Sequence, residues 1–564
     1  MNNLLNRQPS KLGSLLAFAL VVISLALPRG LALDRFATPD ERLWLMRSAN
    51  FFEALVQRNF ADTYQKVHPG VTTMWAGALG YLLDFPEYVK FGPGQQAKPI
   101  HLYQYLEKVN GPRPLDLLVA GRTNVVIGVV ITLSLAYLYA RKLLGIWPAT
   151  IGFLLIACDP FSIGLTRLLH TDGLMSVFLF LSLLAFFTYR YRGRRMLDLM
   201  LSGVAAGLAW LTKSPALFLV PFLVLLELWE LARRWRSKGK LNGQDLWLSA
   251  RSLLVWGGLG LVVFWLLWPA LWVNPIETIR NVLAGASEYA AEGHIDQIYY
   301  NGQVYPAIIP DWSFYPVNYL WRATPLALIG LLLSVLILGP GRKLDFEGNW
   351  DRTIKLLVIF GFLFAVFISF SGKKFDRYLL PTFLPLDLVA GIGWWALAVT
   401  LSKWFMQSSR LYLPEPFAIW ALIALVGLAG FATTVQTYPY YLDYYNPLLG
   451  GPGKAGEVMM LGWGEGLDQA AKFLNQTEEA KRLKVVSWYG DGPFSYFFVG
   501  TTLDEDLPYD PSDLPSADYL VLYIHEWQRK LPSQKFLDYF ARQEPVHVVT
   551  INHIEYARIY RLGN

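Results

Sequence analysis

Eleven long apolar runs divide this chain of 564 residues into shorter polar connections. Most of the runs are close to the ~20 residues that cross a hydrocarbon core as an α-helix. Only 16% of the residues are charged, whereas about a quarter is usual in a soluble globular protein. The pattern therefore predicts a mainly α-helical, polytopic membrane protein. The predicted spans are residues 12–33, 116–139, 146–166, 172–189, 197–212, 215–232, 252–271, 317–338, 354–371, 379–400 and 416–434.

Basic residues indicate which ends of the spans share one side of the membrane. Short segments rich in Arg and Lys fall between alternate spans, and the N-terminal Arg7 and Lys11 join them. By the positive-inside rule this side is cytoplasmic, which predicts a multi-pass plasma-membrane protein with a cytoplasmic N-terminus. The net charge of +6 therefore reflects topology rather than nucleic-acid binding. The basic segments are residues 140–142, 189–195, 232–240 and 341–343.

The first apolar run has a second interpretation. Arg7 and Lys11 precede it and "GLALD" follows it, which is also typical of a signal peptide with a small-residue cleavage site. The sequence leaves both interpretations open. In either case the loop that follows lies outside the cytoplasm.

Two outward segments are long enough to form structure of their own. Residues 34–115 contain amphipathic stretches such as "ERLWLMRSANFFEALVQ", whose apolar positions recur at helical spacing and suit interfacial helices. After residue 435, patterns typical of helices and strands alternate, for example "LKVVSWY" and "SQKFLDYFARQ". We therefore predict a transmembrane domain over residues 1–435 and a small α/β extracytoplasmic domain over residues 436–564.

Polar side chains gather at the outer ends of the predicted spans. They are Asp40, Glu41 and His68 in the first outer loop, His170 and Asp172 before the fourth span, Lys213 after the fifth, and Arg377 and Tyr378 before the tenth. Each also has a structural interpretation. The acids can stabilise helix N-termini, Lys213 and Arg377 can extend to lipid headgroups, and His68 before Pro69 suits a turn. The interpretations are compatible, because a capping acid can also react.

The combination of these residues on one side favours sugar transfer from a phosphate-bearing lipid. A carboxylate can take the proton of an acceptor hydroxyl as the hydroxyl attacks an anomeric carbon. Lysine and arginine can neutralise the departing phosphate, arginine through a bidentate contact. The chain has no nucleotide-phosphate loop of the GxxxxGK[ST] type. A donor used outside the cytoplasm is therefore expected to be carried by a lipid.

The order of these motifs resembles the GT-C membrane glycosyltransferases, specifically the group of protein O-mannosyltransferases and lipid A aminoarabinose transferases. The likeness rests on an acidic pair in the first outer loop, "HTD" after the third span, "LTKSPA" after the fifth and "FDRYLLP" before the tenth. It covers residues 10–435. The tail is similar to the extra domain of bacterial relatives, and we expect little chemistry from it.

The resemblance implies roles for individual residues. Asp40 matches the catalytic acid of the first loop, with Glu41 beside it, and Asp172 matches the second acidic position, with His170 beside it. Lys213 and Arg377 match positions near the donor phosphate, Tyr378 lines the same pocket, and His68 is a further substrate-binding candidate. The resemblance also implies a polyprenyl- or dolichyl-phosphate sugar donor and inversion at the anomeric carbon. Whether a divalent cation, Mg²⁺ or Mn²⁺, takes part stays open, as does the acceptor: protein, lipid or glycan.

Two other functions are compatible with parts of the sequence. A transporter or flippase of lipid-linked sugars would use ionisable residues near the bilayer midplane, for which Asp387 and Glu227 are the candidates. Alternatively, the tail is the active part. Its "GWGEGLDQAAKFL" lacks the spacing of a phosphate loop and is interpreted as a domain-entry turn, and "YIHEWQ" lacks the second histidine of a zinc site. We assign neither tail segment a chemical role.

Overall fold

The computed structural model describes residues 10–309, 311–338, 350–408, 415–503 and 510–563. Helices dominate the first 437 residues, with one short β-hairpin between them, β1 (Ile298–Tyr300) and β2 (Gln303–Tyr305). The helices are α1 (Lys11–Gly30), α2 (Pro39–Val56), α3 (Val71–Asp84), α4 (Pro99–Lys108), α5 (Pro114–Leu144), α6 (Ile146–Cys158), α7 (Pro160–Leu165), α8 (Thr171–Tyr191), α9 (Met196–Thr212), α10 (Leu219–Lys238), α11 (Gly243–Leu266), α12 (Ala270–Val273), α13 (Pro275–Ala291), α14 (Phe314–Arg322), α15 (Pro325–Leu338), α16 (Trp350–Ser369), α17 (Leu380–Ser408) and α18 (Glu415–Thr437).

Every predicted span has a helical counterpart. Within the described ranges, eight helices are long and apolar enough to cross a membrane, and the pair α14 and α15, bent by 111°, adds a ninth if the two helices are counted as one span. The shorter apolar helices α6 and α9 correspond to the remaining two predictions. The predicted class, a multi-pass helical membrane protein, is confirmed. The eight helices are Lys11–Gly30, Pro114–Leu144, Thr171–Tyr191, Ser214–Lys238, Gly243–Leu266, Trp350–Ser369, Asp376–Trp404 and Ile419–Thr437.

Three of the predicted basic segments lie at the same end of the helix bundle. Arg192 donates a hydrogen bond to the carbonyl of Leu143 at 2.7 Å, which joins the segments 140–142 and 189–195. Arg190 pairs with Glu227 of α10 at 3.1 Å, close to the segment 232–240. Residues 1–9 and the segment 341–343, used in the same prediction, lie outside the described residues.

The helix α8 forms the centre of the bundle. Within its apolar window 94% of the residues are buried, and α5, α9 and α17 pack against it. Small residues allow the surrounding helices to approach closely, as is common in membranes. A Cβ atom on Gly391 of α17 would lie 2.2 Å from the backbone nitrogen of Gly152 in α6. The two backbones are therefore in direct contact at this crossing.

The first outer loop folds into α2, α3 and α4 beside the bundle. The helix α2 buries side chains on most of its surface, among them Trp44, Phe51 and Glu53, and it packs against α3, α4 and α5. Protein atoms, rather than a lipid surface, therefore cover most of α2.

The tail is an α/β unit, as predicted. Its five-stranded sheet has the order β4-β3-β5-β7-β6, with β3 parallel to β4 and β5, and β7 antiparallel to β5 and β6. The sequence patterns did not predict β4, α19 or α21, which have three, seven and six residues and are too short for a recognisable period. The elements are α19 (Pro452–Val458), α20 (Leu467–Leu474), β3 (Lys484–Ser487), β4 (Thr501–Leu503), β5 (Tyr519–Tyr523), α21 (Ile524–Arg529), α22 (Gln534–Ala541), β6 (His547–Ile551) and β7 (Ile554–Arg561).

The close crossing of α6 and α17 predicts that Gly391→Ala destabilises the protein. The added methyl group has no space and should cost about 1–3 kcal/mol, measured as a lower thermal unfolding temperature in detergent. Gly258→Ala in α11 is the matched control, because a Cβ there meets no atom within 4 Å. An unchanged unfolding temperature for Gly391→Ala would contradict the tight crossing.

Candidate active site

Asp40 lies in the first turn of α2, where the chain enters the first outer loop. Pro39 occupies the first helical position, and the Glu41 carboxylate accepts hydrogen bonds from the backbone N–H (3.0 Å) and the hydroxyl (3.2 Å) of Thr38. The predicted helix start is confirmed. Asp40 extends away from this cap, and 35% of its side chain is exposed.

His170 lies between the two predicted acidic positions. Its Nε2 is 3.4 Å from Oδ2 of Asp40, and its Nδ1 is 3.3 Å from Oδ2 of Asp172. Asp172 begins the central helix α8, and its side chain is only 1% exposed. Nδ1 also lies 3.4 Å from the backbone nitrogen of Asp172, which is a second potential partner. Nδ1 can accept a hydrogen bond from this nitrogen only when it is unprotonated, and it can donate to the carboxylate only when it is protonated.

Lys213 compensates the charge of Asp172. It follows α9, and its Nζ lies 2.6 Å from Oδ1 of Asp172. The same Nζ is 4.2 Å from the centre of the Tyr378 ring, a cation–π contact. Lys213 and Tyr378, both candidate site residues from the sequence, therefore meet at the buried acid.

Arg377 connects the two acids from the opposite side. It lies in a 3₁₀ turn, Asp376–Leu379, before α17. Its Nη2 is 3.3 Å from Asp40 and its Nε is 3.5 Å from Asp172. The guanidinium carbon lies 3.8 Å from the ring centre of Phe375 and 4.4 Å from that of Trp463. These rings restrict the guanidinium to the position between the carboxylates.

A cavity of about 450 Å³ opens beside this cluster. Asp40 and Arg377 line it, whereas His170, Asp172, Lys213 and Tyr378 are not among its lining residues. The accessible acid is therefore Asp40, and Asp172 organises the groups around it. Because both Asp40 and Arg377 face the cavity, a substrate there meets an anion and a cation side by side.

The charges around Asp40 keep its carboxyl group ionised. Burial by itself raises the pKa of Asp40, but the hydrogen bond to His170 and the positive charge of Arg377 outweigh burial and hold that pKa well below its usual range. For His170, burial lowers the pKa, but the charge of Asp172 and the hydrogen bonds to Asp172 and Asp40 raise it above 6.5 overall. The two acids therefore favour a protonated imidazole between them.

Glu41 does not join the cluster, although we predicted it as a catalytic residue. Its carboxylate is fully buried and pairs with Arg122 at 2.5 Å, and it accepts the backbone N–H of Leu169 at 2.9 Å. Arg122 also donates to the carbonyls of Leu33 (2.7 Å) and Phe36 (3.0 Å). Glu41 thus ties the start of α2 to the turn that carries His170, which is a positioning role.

His68 lies next to the cluster without lining the cavity. Its Nδ1 is 3.5 Å from the hydroxyl of Ser214, the residue after Lys213. Burial and the positive charge of Lys213 lower the pKa of His68 to about 3, so its imidazole is neutral. The predicted contact of His68 with substrate stays a prediction.

The tail contributes residues that the sequence analysis had not assigned. Trp463 contacts Arg377 and also His170, with ring centres 5.3 Å apart in an edge-to-face arrangement. His525 and Arg529 line the cavity as well. They belong to "GWGEGLDQAAKFL" and "YIHEWQRK". Both segments thus lie beside the candidate site, a proximity that the sequence did not predict.

The cluster is poorly suited to a divalent cation. Lys213 and Arg377 occupy the positions beside the two carboxylates that a metal ion would need, and their charges already compensate both acids. Across the described parts of the chain, no three His, Cys, Asp or Glu side chains are placed to hold one metal ion. We therefore derive no step through Mg²⁺ or Mn²⁺.

Part of the chain matches a known enzyme family. Residues 117–256 match the family model described as dolichyl-phosphate-mannose-protein mannosyltransferase. The matched segment contains His170, Asp172 and Lys213, whereas Asp40 and Arg377 lie outside it. No curated protein matches the chain by sequence.

A solved structure with a similar fold aligns with nearly the whole chain. The similar ArnT of Cupriavidus metallidurans, determined with bound undecaprenyl phosphate, is 13% identical, aligns over 98% of each chain and gives a TM-score of 0.51. The archaeal oligosaccharyltransferase AglB of Archaeoglobus fulgidus is 13% identical over 95% of this chain and 72% of its own, with a TM-score of 0.47. The Pmt1–Pmt2 protein O-mannosyltransferase of S. cerevisiae is 18% identical over 48% of this chain and 35% of its own, with a TM-score of 0.37.

The resemblance inferred from the sequence is confirmed. The chain shares the fold of ArnT, and residues 117–256 match the protein mannosyltransferase family model, which are the two groups that the sequence resembles.

We predict that Glu41→Gln mainly lowers stability. The substitution leaves the buried Arg122 without its counter-ion, which should cost about 3–5 kcal/mol and lower the thermal unfolding temperature. Glu457→Gln, at an exposed tail pair, is the control and should change stability by less than about 0.5 kcal/mol. A Glu41→Gln protein as stable as wild type would contradict the positioning role.

The charged His170 predicts a pH-dependent stability difference. Its folded-state pKa is raised, so its stabilising contribution is fully present below about pH 6.5 and is lost as the pH rises through the raised value. His170→Asn keeps a good helix cap but cannot be charged. We expect it to be less stable than wild type by about 1–3 kcal/mol at pH 6, and the gap should narrow towards pH 9. A stability difference between wild type and His170→Asn that does not change with pH would contradict a charged His170.

Proposed function

We propose that this protein transfers a sugar, mannose or a related hexose, from a polyprenyl-phosphate donor to a hydroxyl group of a protein, lipid or glycan at the outer face of the membrane. The observation that carries the proposal is the pairing of the exposed carboxylate of Asp40 with the guanidinium of Arg377 at one cavity, 3.3 Å apart. Such a pair offers a base for the acceptor and a cation for the leaving phosphate. The GT-C fold and the family match support the reaction class.

Asp40 is the proposed general base. Among the two acids of the cluster it is the accessible one, with 35% of its side chain exposed against 1% for Asp172. Its low pKa keeps it ionised, so it is ready to accept a proton. The same low pKa makes Asp40 a weak base towards a free hydroxyl. As the acceptor oxygen bonds to the anomeric carbon, however, its proton becomes strongly acidic, and transfer to Asp40 becomes favourable.

Arg377 and Lys213 are proposed to stabilise the leaving phosphate. The Nε of Arg377 makes no hydrogen bond to the described residues, although it lies 3.5 Å from Asp172. Arg377 lines the cavity between the two acids, so its positive charge faces a phosphate bound there. With His170 protonated, the cluster has three positive groups (His170, Lys213 and Arg377) and two negative ones (Asp40 and Asp172). Its net charge of about +1 complements the negative charge of a phosphodiester and, after cleavage, that of the more negative monoester.

An apolar groove supports a lipid-linked donor. The groove has a volume of about 740 Å³ and runs between α1 and α18, with Leu27 and Phe431 among its lining residues. Tyr441 lines the groove, and the next residue, Leu442, lines the polar cavity. A polyprenyl chain in the groove would thus have its phosphate near the boundary between the groove and the polar cavity. Undecaprenyl phosphate is the lipid bound by the similar ArnT.

The proposed chemistry inverts the anomeric configuration. Asp40 activates the acceptor for direct attack, and the second acid, Asp172, is held by Lys213 at 2.6 Å and lies away from the cavity. Of the two acids of the cluster only Asp40 lines the cavity, so a single displacement is the simplest route, since a double displacement needs a second group of the cluster as nucleophile.

The proposed location is the plasma membrane, with the N-terminus in the cytoplasm and the tail outside. The three described basic segments share the end of the bundle opposite Asp40, which supports this orientation. A flippase is the alternative function. Its best candidate residue, Asp387, is 1% exposed and lines neither cavity, so the alternative has less support.

Asp40→Asn tests the proposal. The variant should fold normally and lose transfer of labelled mannose from a polyprenyl-phosphate donor by at least ~100-fold, because a neutral amide cannot accept the proton. Asp62→Asn, an exposed acid in the same outer loop, is the matched control and should retain activity. Normal turnover by Asp40→Asn would disprove its role. Movement of the lipid-linked sugar across vesicles without transfer would favour the flippase.

A further inference from the structure

The tail has a crevice of the kind that binds ligands in α/β proteins. The parallel strands β3 and β5 are neighbours, but the chain leaves their carboxyl ends in opposite directions. After β3 it continues to β4 on one side of the sheet, and after β5 it continues to β7 and β6 on the other. Connections that diverge in this way leave an open crevice at the strand ends, where α/β proteins typically bind small molecules.

Residues at this crevice line the cavity that contains Asp40. Tyr489 lies two residues after β3, His525 lies two residues after β5, and Arg529 ends α21. The Tyr489 hydroxyl is 2.8 Å from Nδ1 of His525, and Arg529 Nη1 is 3.5 Å from the same nitrogen. Arg529 also faces Asp296 of the loop between the seventh and eighth spans, at 3.8 Å. The crevice and the Asp40–Arg377 pair therefore share one space.

The tail is held tightly against the reactive cluster. A Cβ on Gly464 would lie 2.1 Å from the carbonyl oxygen of Ala37, and φ at Gly464 is +109°, so only glycine fits this close approach. Arg42 of α2 pairs with Asp491 at 2.5 Å, just after Tyr489. The turn around Gly464 positions Trp463 against Arg377. The crevice therefore has a defined position relative to Asp40.

We propose that this crevice is the acceptor subsite and that the acceptor it binds is a saccharide. The inference rests on the proposed function and names its substrate class. Trp463 and Tyr489 are partly exposed rings in the cavity wall, and the C–H face of a sugar can lie against such rings. Arg529, Asp296 and His525 add donors and acceptors that can bind the hydroxyl groups around the sugar ring.

A peptide acceptor fits the crevice less well. Extended peptides are commonly bound by pairing with a free strand at the edge of a sheet. In the tail the edge strands are β4 and β6, whereas β3 and β5, which open onto the cavity, are interior strands with both neighbours in place. The cavity therefore offers side chains rather than a free backbone edge.

Binding of simple saccharides to the full-length protein in detergent tests this inference without any donor. The probes are methyl hexopyranosides and disaccharides, measured by saturation-transfer NMR, with a serine- and threonine-containing peptide as the competing class. We expect saccharide binding to wild type and a loss of affinity of about tenfold or more in Arg529→Gln and Tyr489→Phe. Arg482→Gln, an exposed arginine of the tail, is the matched control and should bind like wild type.

The variants must keep their fold and their donor site. Unfolding temperatures close to wild type and binding of undecaprenyl phosphate within about twofold would show this, since neither residue belongs to the cluster around Asp172. Saccharide binding that is unchanged in both variants would overturn the crevice assignment, and binding of the peptide alone would overturn the substrate class. Saccharide binding without any transfer of labelled mannose by wild type would instead disprove the proposed reaction and leave the subsite standing.

Discussion

The buried carboxylate of Asp172 determines how the outer end of this protein is arranged. It lies at the N-terminus of the most buried span, where an uncompensated charge would cost several kcal/mol. Lys213 at 2.6 Å, His170 at 3.3 Å and Arg377 at 3.5 Å meet this need, and they come from three different parts of the chain. Their convergence links α8 to the end of α9 and to the start of α17. The same arrangement leaves Asp40 as the acid that faces the cavity.

A second buried acid, Glu41, stabilises the segments that carry Asp40 and His170. Glu41 pairs with Arg122 of α5 and caps both α2 and the turn before His170. Asp40 and Glu41 are adjacent in sequence but have different environments, because successive residues on a helix point about 100° apart. One faces the substrate cavity, and the other anchors the helix that carries it. The acidic pair therefore divides into a reactive and a positioning residue.

The tail contacts the cluster directly. Trp463 stacks on Arg377 and contacts His170, so it limits the movement of the two groups beside Asp40. Its turn depends on glycines with positive φ at positions 462, 464 and 466. These glycines were visible in the sequence, but their spacing did not resemble a phosphate loop, and nothing in a single sequence indicated which surface the turn would meet.

The sequence by itself determined the spans, the common side of the basic segments, the tail's α/β pattern, and the candidates Asp40, Asp172, Lys213 and Arg377. It could do so because apolar length, charge bias and strand alternation are local properties. Only the tertiary structure decided that Glu41 faces Arg122, that His170 bridges two acids, and that Trp463, Tyr489 and Arg529 line the cavity with Asp40. Most of these outcomes depend on contacts between residues far apart in the sequence. Those contacts are set by how buried charges find partners and by how closely glycines let two backbones approach.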